Sequence, residues 1–424
     1  MKSEIKERIE KINRGEVPEG YTKTKFGIIP DNWKVYKGEQ LAKKITKGSS
    51  PNWQGFDYQE DGILFITSEN VREGYLRVDE PKYLPFEFGE KQKNSKLEYG
   101  DLLINIVGAS IGRSCEFNIP NVEANINQAV CLFRLKSLED RLFIKYYLQS
   151  DIVIKRLLGT QTESARPNLS LSDIRNFEFI LPDNPNEKKK IADILSTWDK
   201  AIELKEKLIE QKKEQKKGLM QRLLTGEVRL PGFKGEWKEV RLGEVLKERK
   251  ETGHVHLELL AITALRGIVR RDEVDIKDNS SEDKSKYKRI MPLDIGYNTM
   301  RMWQGVSGVS KYEGIVSPAY TVLKPTDKVD SYFMGYLFKL PKVIDKFRRY
   351  SQGLVDDTLN LKYENFKVIK VRIPQDVNEQ KAIAQILICV DKEIEFLEKE
   401  LEALKQQKKG LMQLLLTGKI RVKC

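Results

Sequence analysis

The chain is poor in the residues on which many catalytic and metal sites depend. Its 424 residues include four cysteines and two histidines. The cysteines are scattered without C-x-x-C or paired zinc-ligand spacing, at Cys115, Cys131, Cys389 and Cys424. Neither a disulfide framework nor a structural metal is therefore indicated, and a reducing cytoplasm is the expected location. His254 and His256 could share one face of a strand, but no cysteine or third histidine nearby completes a ligand set.

Long apolar runs are also missing. No stretch approaches the roughly 20 apolar residues that cross a bilayer. The first residues, 1–13, form a charged helical pattern without the apolar core of a signal peptide. We expect neither export nor a membrane partner.

Motifs of the common nucleotide and base chemistries are absent. There is no [DNS]-P-P-[YFW] loop of an amino-methyltransferase, and Gly418-Lys419 is followed by Ile420, which breaks a P-loop pattern. Asp275 and Lys277 have the spacing of a nuclease metal site, but a chain with 33% charged residues produces such pairs by accident. The sequence is interpreted as non-catalytic.

Charge points to a class of partner. Lysine and arginine exceed aspartate and glutamate by 75 to 63, which gives a net charge of +12 and a pI of about 9.2. A basic balance favours a polyanionic partner without identifying it.

An internal repeat organises the chain. Residues 187–229 match residues 379–421 at a constant offset of 192, and 26 of the 43 positions are identical. Both copies contain I-A-x-I-L near the start and K-K-G-L-M-Q near the end. One element is therefore used twice.

Apolar spacing predicts that this element is a long helix. In the second copy, residues at alternating steps of four and three are apolar except Lys408, which is a heptad pattern over 383–415. The first copy, over 191–223, is interrupted by Lys205, Lys212 and Lys216, so its stripe is weaker. The two stripes predict an antiparallel pair that acts as a spacer. The alternative is that each helix lies separately on a globular core.

The segments around these helices echo each other weakly. Each mixes short β-rich runs with one predicted helix, which indicates α+β domains. The predicted strands are Ile63 to Thr67, Leu102 to Val107, Val130 to Leu135, Leu257 to Thr263, Tyr320 to Leu323 and Phe366 to Ile373, and the predicted helices are Arg141 to Leu158 and Tyr332 to Tyr350. The predicted organisation is an N-terminal helix (1–20), an α+β domain (21–182), a long helix (183–229), a second α+β domain (230–374) and a second long helix (375–424).

Basic, amide and aromatic residues gather between the predicted strands. Arginine, asparagine and glutamine read base edges in the major groove, while lysines and hydroxyls contact phosphates. The candidate DNA-binding residues are Lys47, Ser49, Ser50, Asn52, Trp53, Lys91, Lys93, Arg113, Asn127 and Gln128 in the first domain, and Arg266, Arg270, Lys286, Lys288, Arg289, Arg301, Trp303 and Gln304 in the second. Two unlike readers on a spacer would recognise two separated half-sites of duplex DNA.

These features resemble the specificity subunit of type I restriction-modification systems. The resemblance covers nearly the whole chain and is carried by several motifs. They are the duplicated P-x-x-x-x-E-[KQ]-x-x-I-A-x-I-L blocks from Pro182 and Pro374, the K-K-G-L-M-Q-x-L-L-T-G helix ends, the turn Lys47-Gly48-Ser49-Ser50-Pro51, the run Gly108-Ala109-Ser110-Ile111-Gly112 and the run from Met302 to Gly308. Ser110 joins the candidate contacts on this ground.

The resemblance implies two target-recognition domains on an antiparallel coiled coil with pseudo-twofold symmetry. It also implies two methyltransferase (modification) subunits that use S-adenosylmethionine, and restriction/translocase subunits that use ATP and Mg²⁺; no cofactor is expected in this chain. Two other hypotheses remain: a self-sufficient DNA methyltransferase or nuclease, and a coiled-coil scaffold with basic surfaces.

Overall fold

The computed structural model describes residues 3–159, 168–264, 266–274 and 281–424. The chain divides into two compact units. Unit 1 comprises Met1–Lys205 and Glu400–Cys424, and unit 2 comprises Glu206–Lys399. No helix of the described residues is long and apolar enough to span a membrane.

Helices occur in both units, and two of them are much longer than the rest. The helices are α1 (Ser3–Asn13), α2 (Gly38–Leu41), α3 (Phe86–Lys91), α4 (Arg141–Gln149), α5 (Asp151–Gly159), α6 (Leu171–Asn176), α7 (Pro185–Leu224), α8 (Leu242–Val245), α9 (Ser331–Leu337), α10 (Pro341–Tyr350), α11 (Tyr363–Phe366) and α12 (Val377–Leu415).

Unit 1 is built on a four-stranded antiparallel sheet in the order β4-β10-β7-β8, beside a three-stranded sheet β6-β5-β9 in which β5 and β9 are parallel. Two further strand pairs, β1–β2 and β3–β11, complete it. The strands are β1 (Tyr21–Thr24), β2 (Gly27–Pro30), β3 (Trp33–Lys37), β4 (Ala42–Lys47), β5 (Ile63–Ile66), β6 (Tyr83–Leu84), β7 (Leu102–Asn105), β8 (Ser114–Glu116), β9 (Ala124–Ile126), β10 (Val130–Leu135) and β11 (Glu178–Pro182).

The central strands of unit 1 are apolar on both faces because both faces are covered. Along β10, Cys131 and Phe133 pack into one core cluster, whereas Val130 and Leu132 pack into another. Alternate residues of a strand point to opposite faces, which explains the unbroken apolar run. Burial raises the pKa of the Cys131 thiol to about 12.

Unit 2 repeats this frame. Its four-stranded sheet has the order β13-β20-β17-β18, and β12–β21 corresponds to β3–β11. Trp237 faces Pro374 across that pair, as Trp33 faces Pro182 in unit 1. The strands are β12 (Trp237–Arg241), β13 (Leu246–Glu248), β14 (Leu260–Thr263), β15 (Gly267–Arg270), β16 (Lys288–Ile290), β17 (Ile295–Asn298), β18 (Ser307–Val309), β19 (Gly314–Val316), β20 (Tyr320–Pro325) and β21 (Lys370–Pro374).

The α+β fold class is confirmed, but several predicted elements are corrected. The predicted helix over 141–158 is two helices, because Ser150 adopts an extended backbone with ψ of 139° and its hydroxyl donates to the carbonyl of Tyr147. The predicted helix over 332–350 is also broken, since Pro341 begins α10 after the extended residue Leu340. The predicted strand over 366–373 was wrong at its start: 363–366 is helix α11 and the strand begins at Lys370.

The long helices begin at Pro185 and Val377, six residues before the heptad patterns start at 191 and 383. Asn184 precedes α7, and its side-chain oxygen accepts from the backbone N–H of Asn186 at 2.9 Å. Asp376 does the same for Asn378 at 2.8 Å before α12. A side-chain oxygen at this position satisfies an N–H that the helix leaves without a partner.

The heptad stripe is confirmed within each unit. In unit 1, Ile191 and Leu195 of α7 share a buried cluster with Leu415 of α12. In unit 2, Leu223 of α7 shares one with Leu387 of α12. The clusters include residues of the α+β domains, so each helix end also lies on a globular core, as the alternative hypothesis proposed.

The lysines that interrupt the stripe bind carboxylates of the opposite helix. In unit 1, Lys205 Nζ lies 3.1 Å from Glu400. In unit 2, Lys212 lies 2.7 Å from Glu393, and Lys216 lies 2.5 Å from Asp391. Partner numbers fall as numbers along α7 rise, which defines antiparallel pairing. Long lysine stems cover the apolar stripe while their charges meet carboxylates at its edge.

Candidate nucleic-acid interface

Three segments of unit 1 converge at one end of its main sheet. They are the turn at 106–113 after β7, the loop at 127–129 before β10, and residues 168–169. Backbone bonds join them: Ile106 N–H donates to Ala129 O at 2.9 Å, and Leu169 N–H donates to Ile106 O at 2.8 Å. Ser110, Arg113, Asn127 and Gln128 lie on these segments, so the fold brings together four candidates that are up to 18 residues apart.

A completely buried asparagine supports this turn. The side-chain amide of Asn105 donates to Ser68 O at 2.9 Å and to Ser110 Oγ at 3.0 Å. A buried amide that is bonded on two sides holds its neighbours in one arrangement. Asn105 therefore fixes the Ser110 hydroxyl, although it is not among the candidate contacts predicted from the sequence.

The loop at 47–56 joins the same surface through Gly48. Its N–H donates to Asn127 O at 3.1 Å. A Cβ atom at this position would lie only 1.6 Å from Ile126 O, so no side chain can be accommodated without moving the loop. The glycine is required by this close approach.

The segment at 91–95 braces the 47–56 loop. Ser49 Oγ donates to Gln92 Oε1 at 3.1 Å, and Lys91 Nζ donates to Gln54 O at 3.3 Å. Lys47, Ser50 and Asn52 lie on the braced loop, whereas Lys93 pairs with Glu90 at 3.1 Å on the exposed side of its turn.

Trp53 is presented to solvent at the tip of this loop. Its side chain is 88% exposed, although tryptophan is a residue that proteins usually bury. The turn at Asn52–Gln54 ends at Gly55 with a φ of 80°, and Phe56 then packs against Phe88. An exposed aromatic on an anchored turn is suited to stack on or wedge against another surface.

Unit 2 contains the same convergence. Leu361 N–H donates to Thr299 O at 2.8 Å, and Thr299 Oγ1 donates to Ala319 O at 2.8 Å. These bonds join the turn at 299–304, the loop at 317–319 and the segment at 351–361. The candidates Arg301, Trp303 and Gln304 lie on the turn, where Arg301 and Gln304 are exposed.

A buried lysine holds this turn from beneath. Lys339 Nζ donates to Gly305 O at 2.6 Å and to Ser307 O at 2.9 Å. Burial, with the nearby charge of Lys216 second, lowers the pKa of Lys339 to about 8. The Lys339 ammonium group therefore holds the turn in shape and is not placed to bind an external anion.

Sequence reasoning missed part of this surface. Arg348 lies over the Trp303 ring at 5.7 Å and pairs with Asp356 at 2.9 Å. Leu354, between them in the chain, is fully exposed. The available signal was the Arg348-Arg349 pair at the end of α10, which precedes a glycine-containing loop.

Three other arginine candidates of unit 2 have carboxylate partners within the unit. Arg266 pairs with Glu273 at 2.7 Å, and Arg270 lies 3.5 Å from Glu258. Arg289 pairs with both Glu313 and Glu251, at 2.6 and 3.1 Å.

Lys288 and Lys286 differ in their surroundings. Lys288 Nζ donates to Tyr320 O at 2.7 Å, and burial lowers its pKa. Lys286 is exposed. The fold therefore groups Arg301, Trp303 and Gln304 on one surface. Other groups of unit 2 bind four other candidates, Arg266, Arg270, Lys288 and Arg289.

The metal candidates form no cluster in the described part of the chain. The rings of His254 and His256 lie 6.1 Å apart, and no three His, Cys, Asp or Glu side chains among the described residues gather as a metal site requires. Asp275 and Lys277 fall outside the described residues.

The chain is similar in sequence to known DNA-specificity subunits. The family model for the type I restriction modification DNA specificity domain matches residues 30–213 and 296–406. The putative type I restriction enzyme MjaX specificity subunit of Methanocaldococcus jannaschii is 25% identical over 437 residues, covering 96% of this chain and 97% of that protein.

Two solved structures share the fold. A chain from a study of complex assembly and conformational transition of the type I R-M system has a TM-score of 0.58 at 15% identity, covering 92% of this chain and 99% of that chain. The S subunit of a type I restriction-modification system from M. genitalium has a TM-score of 0.50 at 17% identity, covering 91% and 96%.

Proposed function

Because the chain belongs to the type I restriction-modification DNA specificity family, we propose that it is the non-catalytic subunit that reads a bipartite duplex DNA target. Each unit reads one half-site through its converging segments. The observation that carries this proposal is the repeated convergence: Leu169 bonds Ile106 in unit 1 as Leu361 bonds Thr299 in unit 2. These backbone bonds are the same in both units, whereas the side chains on the segments that they join differ.

The chemistry of the two surfaces suits duplex DNA. In unit 1 the surface offers Arg113, Asn127 and Gln128 with hydroxyls and lysines; in unit 2 it offers Arg301, Trp303 and Gln304 with Arg348. Arginine pairs with guanine and asparagine or glutamine with adenine in the major groove, and the net charge of +12 favours a polyanion. Unlike residues on the two surfaces imply unlike half-sites.

The paired helices supply the spacing. Helix α7 has 40 residues, which corresponds to about 60 Å. Half-sites one turn apart are separated by about 34–36 Å, so a helix pair of this length suffices as a ruler. The helices also dock two methyltransferase subunits, and restriction/translocase subunits join that assembly. Those partner subunits use S-adenosylmethionine, ATP and Mg²⁺.

Methylome sequencing of the host, with this gene intact and deleted, tests the proposal. We expect a bipartite adenine-methylation motif that disappears on deletion. An unchanged methylome would contradict the proposal and favour a scaffold. Exchanging residues 1 to about 180 for those of a relative should change one half-site and leave the other.

A second experiment separates this function from an enzyme. The purified chain is incubated with DNA, Mg²⁺ and S-adenosylmethionine without partners. We expect neither methylation nor cleavage, and either activity would identify a self-sufficient enzyme.

A further inference from the structure

A buried tyrosine in unit 1 contacts both long helices at once. Tyr146 of α4 donates its hydroxyl to Asp199 of α7 at 2.6 Å. Lys408 of α12 approaches the other carboxylate oxygen of Asp199 at 2.5 Å, and its ammonium lies 5.4 Å from the centre of the Tyr146 ring. Three elements therefore meet in one network.

Unit 2 contains the same network with its own residues. Tyr336 of α9 donates to Asp391 of α12 at 2.6 Å. Lys216 of α7 approaches Asp391 at 2.5 Å and lies 5.5 Å from the Tyr336 ring centre. The two networks, Tyr146–Asp199–Lys408 and Tyr336–Asp391–Lys216, are named here the anchor triads.

The repetition is informative because the helical parts and the domain parts are preserved to different degrees. The aspartates and the lysines belong to the strongly repeated helices, and each pair is offset by 192 residues. The tyrosines belong to α+β domains whose interiors diverge, and α4 and α9 share little other sequence. The hydrogen bonds from Tyr146 and Tyr336 to the helices nevertheless recur at the same distance, 2.6 Å.

The chemistry of each triad adds direction to the apolar packing of α4 and α9 on the long helices. Burial, with the aspartate hydrogen bond second, raises the pKa of both tyrosines, so each hydroxyl keeps the proton that it donates. Apolar packing is non-directional, whereas a hydrogen bond and a cation over a ring face each require an orientation. The triads therefore restrict how α4 and α9 can rotate or slide on the helices.

In unit 2 this restriction of movement extends to the reading surface, by which we mean the surface that carries Arg301, Trp303 and Gln304. Lys339 follows Tyr336 by three residues and holds Gly305 O and Ser307 O, which come directly after the turn at 302–304. The helix pair and the turn are thus joined through one short segment.

We propose that the anchor triads are the positioning residues that fix each reading surface on the helix pair, and so restrict the target to one gap length. This inference rests on the proposed function. One base pair moves a half-site by about 3.4 Å and rotates it by about 35°, since a turn contains 10–10.5 base pairs. To reject a target whose gap is wrong by one base pair, the attachment of each DNA-reading surface to the helices must resist both this shift and this rotation.

The test replaces Tyr146 and Tyr336 by phenylalanine in the chromosomal gene, followed by methylome sequencing. The change removes one oxygen from each anchor triad and keeps both rings. We expect Y146F/Y336F to methylate sites whose gap is longer or shorter by one base pair at least fivefold more often than the parent, with both half-sites unchanged. An unchanged gap distribution would overturn the proposal.

Controls separate the other outcomes. Tyr75→Phe alters an exposed tyrosine of unit 1 and should leave the gap unchanged. A merely structural role would lower the thermal midpoint of the purified complex without widening the gap, so both are measured. If Y146F/Y336F does not assemble, Lys408→Met with Lys216→Met must give the same widening or the proposal fails. A gene deletion that leaves the methylome intact would instead refute the proposed function.

Discussion

Arg229 and Glu379 form a two-bonded salt bridge in unit 2 whose carboxylate is completely buried. Arg229 Nε and Nη2 donate to the two oxygens of Glu379 at 2.6 and 2.8 Å. Arg421 and Glu187 form the equivalent bridge in unit 1 at 2.5 and 2.8 Å. Each bridge ties the start of one long helix to the segment that follows the end of the other.

Removing the arginine leaves a buried carboxylate without its counter-charge. Arg229→Met should lower the free energy of unfolding by roughly 3–5 kcal/mol, measured by urea denaturation. Lys399→Met is the matched control, because its partner Glu395 is exposed on the helix surface and such pairs contribute little to stability. Equal losses in the two variants would contradict the burial argument.

Lys339 should give unit 2 a pH-dependent stability. Its pKa in the folded chain is about 8, against an ordinary value of 10.5. Between these values the unfolded chain binds a proton that the folded chain does not, so the free energy of unfolding rises with pH, by on the order of 3 kcal/mol over the whole window.

Urea denaturation at pH 7.5 and 9.5 tests this. The parent should gain stability over the interval relative to Lys339→Met, which has no ammonium to neutralise. Lys342→Met, on the exposed side of α10, should follow the parent. Parallel curves for the parent and Lys339→Met would show that this group does not titrate in the window.

Arg301 and Arg289 should differ sharply in their effect on recognition. Arg301 is on the exposed turn, whereas Arg289 is engaged by Glu313 and Glu251. Arg301→Gln should weaken binding of the assembled complex to its methylome-defined target about 10- to 100-fold, the range of one base contact. Arg289→Gln should change it less than about twofold. Fluorescence anisotropy at fixed salt measures both, and a larger effect at Arg289 would reverse the assignment.

The seam lysines should show charge complementarity across the helices. Lys212→Glu places two carboxylates together at Glu393 and should destabilise the pair by about 0.5–1 kcal/mol, as should Glu393→Lys. The double variant restores opposite charges and should recover most of the loss. If the double variant loses as much stability as the two single variants together, the two side chains do not interact.

The sequence predicted the repeat, the heptad stripe and the α+β class because each depends on local spacing or on direct identity. It could not assign partners to Lys205, Lys212 and Lys216, since those carboxylates lie 175 to 195 residues away and meet them only after antiparallel pairing. Arg289 and Arg301 are indistinguishable in the sequence; the fold pairs Arg289 with two carboxylates and leaves Arg301 exposed on its turn. Ser150 breaks a helical pattern with a side-chain bond to the Tyr147 carbonyl, which apolar periodicity does not register.

The central claim is that the helix pair sets the distance between two readers. Duplicating residues 205–211 and 394–400 in the same chain adds one heptad to each helix, preserves the stripe and lengthens the pair by about 10.5 Å. Methylome sequencing of the host should then show both half-sites unchanged and a gap longer by about three base pairs, at 3.4 Å each. An unchanged gap, with methylation retained, would contradict the account.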